Sequence, residues 1–303
     1  MSPEVAATSR IANWPRLRRF VDKPWPEKVR SAGLYCRNAF PNLPIPVRLP
    51  FGSWWLAWQN DLGNHVLAGD YESAEYTFVE EFLRPGMVVL DIGANEGFYT
   101  LLASHCVGAT GQVVAFEPSP RERRRLRMNS WLNRFRNVRV EGKAVAAQEG
   151  EMKLFVVESR ETGCNSLRPP GIQGSTSAIS IEATTLDLFV RRNGLERVDF
   201  MKIDVEGAEL SVLQGAVTLL QAAPRPFMMI EVSDLRTRPW GYSSREIANF
   251  LRHLEYDLFR PLRIGELEPL DVDDIKDGSD FNAIAAPRER VPEITSLSRE
   301  QGN

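Results

Sequence analysis

The sequence predicts an α/β protein with a doubly wound, mostly parallel sheet, on three observations. From residue 87 onward, short apolar runs alternate with helical patterns of roughly 10–16 residues, the signature of βαβ units. The first run leads through Asp91 and two glycines straight into a helix, in the stretch VLDIGANEGFYT at 89–100. The second run ends Phe116-Glu117-Pro118, which sets another acid at the carboxyl edge of the sheet, where open α/β sheets bind ligands.

The elements follow in order. Residues 1–50 hold eight of the twenty prolines and nine Lys/Arg against three Asp/Glu, so they read as a basic, proline-rich arm or appendage. Trp14 and Trp25 argue against pure disorder there. The packed body is expected to begin at the tryptophan-dense stretch 51–58 and to run to 287. Residues 71–83 have a helical pattern stopped by Arg84-Pro85-Gly86. Core strands are expected at 87–92, 112–116, 137–140, 198–203 and 226–232, with closing strands at 256–259 and 281–285. Helices are expected at 95–106, 120–135, 185–193, 208–222 and 244–255. Residues 151–157 and 178–183 read as an added antiparallel pair around a loop. The tail from 288 is polar and reads as loose, and the arginine-rich run 121–127 as a solvated helix face.

Composition excludes several classes. A net charge of −3 with 43% hydrophobic and 25% charged residues is that of an ordinary globular chain, with no general attraction to nucleic acid. Three cysteines, Cys36, Cys106 and Cys164, form neither a closed disulfide framework nor a CxxC pair, which fits a reducing, cytoplasmic setting. The twin arginines Arg18-Arg19 are followed by Val21-Asp22-Lys23-Pro24, not an apolar segment, so export is not expected. No run is long enough to span a membrane. His65, His105 and His253 are scattered, so a nucleophilic triad with Cys164 is unsupported.

The glycine loop carries the chemistry. A dinucleotide site wants G-x-G-x-x-G, yet the matching positions here are Gly93, Asn95 and Phe98. The pattern D-x-G-x-N-x-G instead suits an uncharged ribose bearing a sulfonium. Asp91 is placed to meet an ammonium group or an ordered water, with Gly93, Asn95 and Gly97 shaping the loop. Replacing Gly93 by Val is therefore expected to abolish cofactor binding and spare the fold. Glu117, 26 residues beyond Asp91, can accept both ribose hydroxyls, or else sit as a helix N-terminal acid. Lys143-Ala144-Val145 should end the third strand beside an adenine edge, with Ala144 as the contact.

Farther on, Thr185-Leu186-Asp187-Leu188, the run Lys202-Ile203-Asp204-Val205-Glu206-Gly207-Ala208-Glu209, and Leu213-Gln214-Gly215-Ala216 resemble the FkbM family of methyltransferases. The likeness covers about residues 70–260, and 202–209 is its most specific part. It implies a class I, Rossmann-like methyltransferase fold, which the strands above make a seven-stranded sheet with helices on both faces. It also implies S-adenosylmethionine as donor and a hydroxyl acceptor on a sugar or natural product. Read from the residues themselves, Asp204, Glu206 and Lys202 at one strand end could take a proton from that hydroxyl. The same acids could instead cap the following helix, with Glu209 in a capping-box arrangement. Glu231, ending the neighbouring strand, could share a divalent metal with Asp204, Asp234 being the further ligand. The metal-free version is the expected one. Asn165 and Ser166 in the insertion, and Trp240 and Tyr242 after the fifth strand, are candidates for positioning the acceptor. The partner expected is a small-molecule or saccharide acceptor, and a homodimer is an admissible assembly. N- or carboxyl-methylation on the same scaffold, an idle cofactor-binding subunit, and an NAD-dependent oxidoreductase are the competing readings.

Overall fold

A computed structural model describes residues 43–158, 162–169, 175–262 and 266–294. The expectations for the arm before residue 43, including its tryptophans, twin arginines and Cys36, lie outside the described residues.

The body begins with a hairpin, β1 (Ile45–Arg48) against β2 (Trp54–Ala57), followed by α1 (Asp61–Ala68) and α2 (Ser73–Phe82). Then come β3 (Val88–Ile92), α3 (Phe98–Val107), β4 (Gln112–Phe116), α4 (Pro120–Leu132) and β5 (Val138–Glu141). An insertion carries β6 (Ala144–Val145), β7 (Gly150–Val157) and β8 (Thr176–Thr184) as a small separate sheet. After α5 (Leu186–Asn193) the chain returns through β9 (Phe200–Ile203), α6 (Glu209–Gln214), α7 (Val217–Gln221) and β10 (Phe227–Ser233). It ends with α8 (Asp234–Thr237), α9 (Ser244–His253), β11 (Tyr256–Pro261), β12 (Leu267–Leu270) and β13 (Asp280–Pro287).

The large sheet has the order β12-β11-β13-β10-β9-β3-β4-β5, and its pairs from β10 to β5 are all parallel. Leaving β3, the chain winds outward to β4 and β5, then comes back to β9 on the other side of β3. That reversal opens a crevice at the carboxyl ends of β3 and β9. Both faces of the sheet are covered, as a parallel sheet requires. Leu90, Ile92, Met201, Ile203 and Ile230 face α5, α6 and α9, while Val89, Phe200, Phe227 and Met229 face α2 and α3.

Three expectations are corrected. The large sheet has eight strands, not seven. The addition, β12, is the run Leu-Glu-Pro-Leu, whose proline is tolerated because the strand lies at the sheet edge. The helix expected over 208–222 is broken at Gly215-Ala216. A Cβ at 215 would lie 2.2 Å from the Ala146 carbonyl, and the Asp187 carboxylate accepts from Thr218 N at 3.0 Å and Leu219 N at 2.9 Å. A side chain from α5 thus caps a fresh helix start. Residues 45–48 belong to the hairpin, and the tail as far as Ile294 packs on the body, with Ile294 buried and Arg290 donating to the Arg225 carbonyl.

The arginine run is the third correction. Arg121 donates to the Val157 carbonyl, Arg123 to the carbonyls of Glu117 and Pro118, and Arg125 to buried Glu96. These side chains bolt α4 to the turns around the crevice, because the β4–α4 turn leaves carbonyls without strand partners. On the far side of α4, Asn129 and Asn133 bond the backbone of β2 like a neighbouring strand.

Gly93 has φ +81°, and a Cβ there would sit 1.7 Å from the Asp204 carbonyl oxygen. Its bareness lets the glycine loop touch the end of β9, so it serves the fold itself, contrary to the expectation above. Gly93→Val should therefore lower the unfolding free energy in urea by more than about 2 kcal/mol with no ligand present. A variant as stable as the parent would contradict this.

Candidate active site

The crevice widens into a cavity of about 550 Å³ whose walls come from the ends of β3, β4, β9 and β10, from α1–α2 and from the insertion. Of the residues expected to hold the cofactor, Asp91, Gly93, Asn95, Glu117 and Ala144 line it. Gly97 does not. With φ +93° and a would-be Cβ 2.9 Å from Leu126 Cγ, Gly97 lets α3 pack closely on α4.

Asp91 is 1% exposed, and its Oδ2 accepts from Thr100 Oγ1 at 2.5 Å. Its Oδ1 is buried without a partner, as is Oδ1 of Asn95. Buried acceptors left unmade are costly, so these atoms fit a ligand that brings donors. Asn95 takes a left-handed backbone at φ +50°, which asparagine tolerates, and donates its N–H to Glu117 Oε2 at 2.8 Å. Glu117 Oε1 accepts from Ser119 N at 2.7 Å. Burial, reinforced by Glu122 nearby, pushes the Glu117 carboxyl up from 4.5 to about 8 despite these two amides.

The other half of the cavity is an acid cluster around two cations. Lys202, in β9, is 5% exposed, and its Nζ lies 2.6 Å from Asp204 Oδ2 and 5.0 Å from the centre of the Tyr99 ring. Burial works against its charge, but Asp204, Asp91 and Glu72 overcome it and raise the ammonium above its ordinary range. Glu206 has φ +55°, and its Oε2 lies 2.8 Å from Arg236 Nε, an ion pair without hydrogen-bond alignment. Burial, with Asp204 and Glu209 beside it, raises Glu206, and burial with Asp204 and Glu206 raises Glu231 well above the carboxylate range. Neither Asp204 nor Glu206 caps the next helix. Helix α6 has no side-chain cap, and Glu209 instead holds the turn before it, accepting from Val205 N at 3.0 Å and Gly207 N at 3.2 Å.

Of the residues expected at the acceptor, Asn165 and Glu231 line the cavity, while Ser166, Trp240 and Tyr242 do not. These three brace the turn that carries Glu206. Ser166 Oγ donates to the Glu206 carbonyl at 2.8 Å, and Tyr242 OH to the Gly207 carbonyl at 2.6 Å. A Cβ at 207 would lie 2.7 Å from Trp240 Cδ1. Asp234 is also spoken for, since it accepts from Ser244 N, Ser244 Oγ and Gly278 N, so it is not a further ligand beside Asp204 and Glu231. Among the described residues no group of three His, Cys, Asp or Glu has the arrangement of a metal site, and no helix is long and apolar enough to cross a membrane.

Sequence reasoning missed Asp61, His65, Tyr71 and Glu72, which wall the cavity from the α1–α2 side, and Arg236, which pairs with Glu206. Glu72 falls inside the stretch 71–83 expected to be helical, and nothing local says that it faces the glycine loop.

The raised carboxyl of Glu117 carries a stability consequence. Its folded form holds a proton that the unfolded chain has released, so its contribution is complete below pH 4.5 and lost as pH climbs through about 8. Without ligand, the melting temperature should fall between pH 5 and pH 9, and fall less steeply in Glu117→Gln. Equal slopes for the two proteins would contradict the burial of an acid there.

The FkbM methyltransferase domain matches residues 91–258, more than half of the chain. Three curated relatives are similar to it. The AMB antimetabolite synthetase AmbE of Pseudomonas aeruginosa is 28% identical over 67% of this chain, which spans only 12% of that protein. The 31-O-demethyl-FK506 methyltransferase FkbM of Streptomyces tacrolimicus is 29% identical over 50% of this chain and 70% of its own length. The 2-O-methyltransferase NoeI of Sinorhizobium fredii is 30% identical over 57% of this chain and 74% of its own. Among solved structures, Aeropyrum pernix fibrillarin with bound S-adenosyl-L-methionine covers 80% of this chain and 82% of its own at 15% identity. Its TM-score of 0.40 is too low to bear on fold or function. With an acid-tipped glycine loop at the switch point of a doubly wound sheet, and a domain match over most of that sheet, the chain belongs to the FkbM family of methyltransferases, which use S-adenosylmethionine as donor.

Proposed function

We propose that the protein methylates a neutral hydroxyl oxygen of a saccharide or another small natural product. The observation that carries this reading is the acid wall of Asp204, Glu206 and Glu231 at the cavity's acceptor half. Lys202 pairs with Asp204 and Arg236 with Glu206, while among the described residues Glu231 Oε2 is buried without a hydrogen-bond partner. Asp204, held by Lys202 at that wall, suits an acceptor hydroxyl that must lose a proton. The names of the Streptomyces and Sinorhizobium relatives, both O-methyltransferases, support the choice of oxygen.

When bound, S-adenosylmethionine supplies an already activated methyl group, so the chain's own work is alignment and proton removal. On this reading Asp91, Gly93, Asn95, Glu117 and Ala144 hold the donor. Asp204 aligns the acceptor hydroxyl and accepts its proton. Lys202 keeps that carboxylate aimed. Glu206, fixed by Arg236 and by the bonds to its peptide, completes the acceptor wall, and Asn165 borders it.

The test uses the full chain, methyl-labelled S-adenosylmethionine and a small-molecule extract of cells that encode the protein. Labelled product stable to mild base, with the methyl on oxygen by mass spectrometry, is expected; label released as methanol would sink the reading. With the same acceptor, Asp204→Asn should cut turnover by roughly 10²–10⁴ and leave S-adenosylhomocysteine affinity nearly unchanged. Helix α6 should survive, because Asp204 makes no capping bond to it. Near-normal turnover in folded Asp204→Asn would make the residue structural only.

A further inference from the structure

We propose that Glu72, acting with Asp91, binds the α-ammonium group of the methyl donor, so that the segment upstream of the family domain completes the donor site. The family domain starts at residue 91, yet Asp61, Tyr71 and Glu72 form part of the cavity wall. Glu72 has a left-handed backbone, φ 37° and ψ 50°, which a residue with a side chain keeps only where its surroundings impose it. Those surroundings are aromatic. Tyr71 packs edge-on against Phe98 at 4.8 Å between ring centres, and Phe51, Trp55 and Tyr76 crowd the same ring.

The carboxylate of Glu72 is then aimed by Tyr99, whose OH donates to Oε2 at 2.6 Å. Tyr99 stands in the first turn of α3, the helix that the glycine loop opens. On the same stretch of wall, Asp91 is almost fully buried with its Oδ1 unpartnered, while Thr100 occupies Oδ2. Lys202 is the nearby cation, but its short bond is to Asp204. Glu72 and Asp91 therefore line the same cavity beside the glycine loop, in the corner within electrostatic reach of Lys202. A primary ammonium, with three donors and a positive charge, matches that corner through charge-assisted bonds. An amine on the acceptor would have the same chemistry, but the corner adjoins the donor's loop.

Calorimetry separates the sources. S-adenosylhomocysteine carries the ammonium, whereas 5′-methylthioadenosine lacks the amino-acid chain and keeps the ribose and base. Glu72→Gln should weaken S-adenosylhomocysteine by about 10- to 100-fold and change 5′-methylthioadenosine by less than about twofold. Tyr99→Phe, which frees the carboxylate without removing it, should give a smaller loss confined to S-adenosylhomocysteine. Equal losses for both ligands would show that Glu72 only shapes the cavity, and unchanged S-adenosylhomocysteine binding would exclude the donor's ammonium. Either result overturns the proposal. If Glu72→Gln does not fold, Glu72→Asp keeps the charge but withdraws it by one methylene, and the same selective loss is required of it.

Discussion

The site hangs on one buried cation. Lys202 sits in β9 directly across from Asp91 in β3, with Asp204 two residues along and Glu72 arriving from before the first core strand. A buried lysine ordinarily loses its charge, and buried carboxylates ordinarily keep their protons. Brought together at the carboxyl edge of the sheet, they stabilise one another. Lys202 works against the burial that raises the Glu72 and Asp91 carboxyls and pairs with Asp204, so the cluster depends on its charge. The geometry around it follows: Asp91 can end its strand below the surface, and the glycine loop can turn against the end of β9.

A second consequence is rigidity in the turn 204–209. Three separate parts of the chain fasten it, and Glu209 closes it from within. Gly93 abuts the Asp204 carbonyl, Ser166 holds the Glu206 carbonyl, Tyr242 holds the Gly207 carbonyl, and Glu209 takes two of the turn's amides. The left-handed backbone of Glu206 persists because these fastenings over-determine it. Proton removal from a hydroxyl gains little from a strong base and much from a well-placed one, so a stiff acidic turn suits the proposed chemistry.

Much of this was legible in the sequence, and the limits have physical causes. The strands from β3 to β10 showed as apolar runs because a parallel sheet covered on both faces needs them. The glycine loop and the acids at 91, 117, 204 and 206 showed because chain reversal at a strand end leaves a local pattern. Aromatic residues in loops carry no such pattern, since bracing a turn and stacking on a sugar ask for the same side chains. Trp240 and Tyr242 were expected at the acceptor and instead brace Gly207. The break between α6 and α7 was hidden because its cause, Asp187, lies a helix and a strand away in the chain. Glu72 was hidden for the same reason, since its meaning rests on a tyrosine 27 positions later.

The dependence of the acid cluster on Lys202 can be measured directly as the difference in unfolding free energy between the wild-type protein and Lys202→Met at two pH values. At pH 8 the variant leaves ionised, buried carboxylates without their cation, and the loss should be about 3–5 kcal/mol. At pH 5 the burial-raised carboxyls of Asp91 and Glu72 take up protons in the variant, and the difference should shrink to less than half. A loss of the same size at both pH values would mean that Lys202 matters for its packing and not for its charge, which contradicts the account.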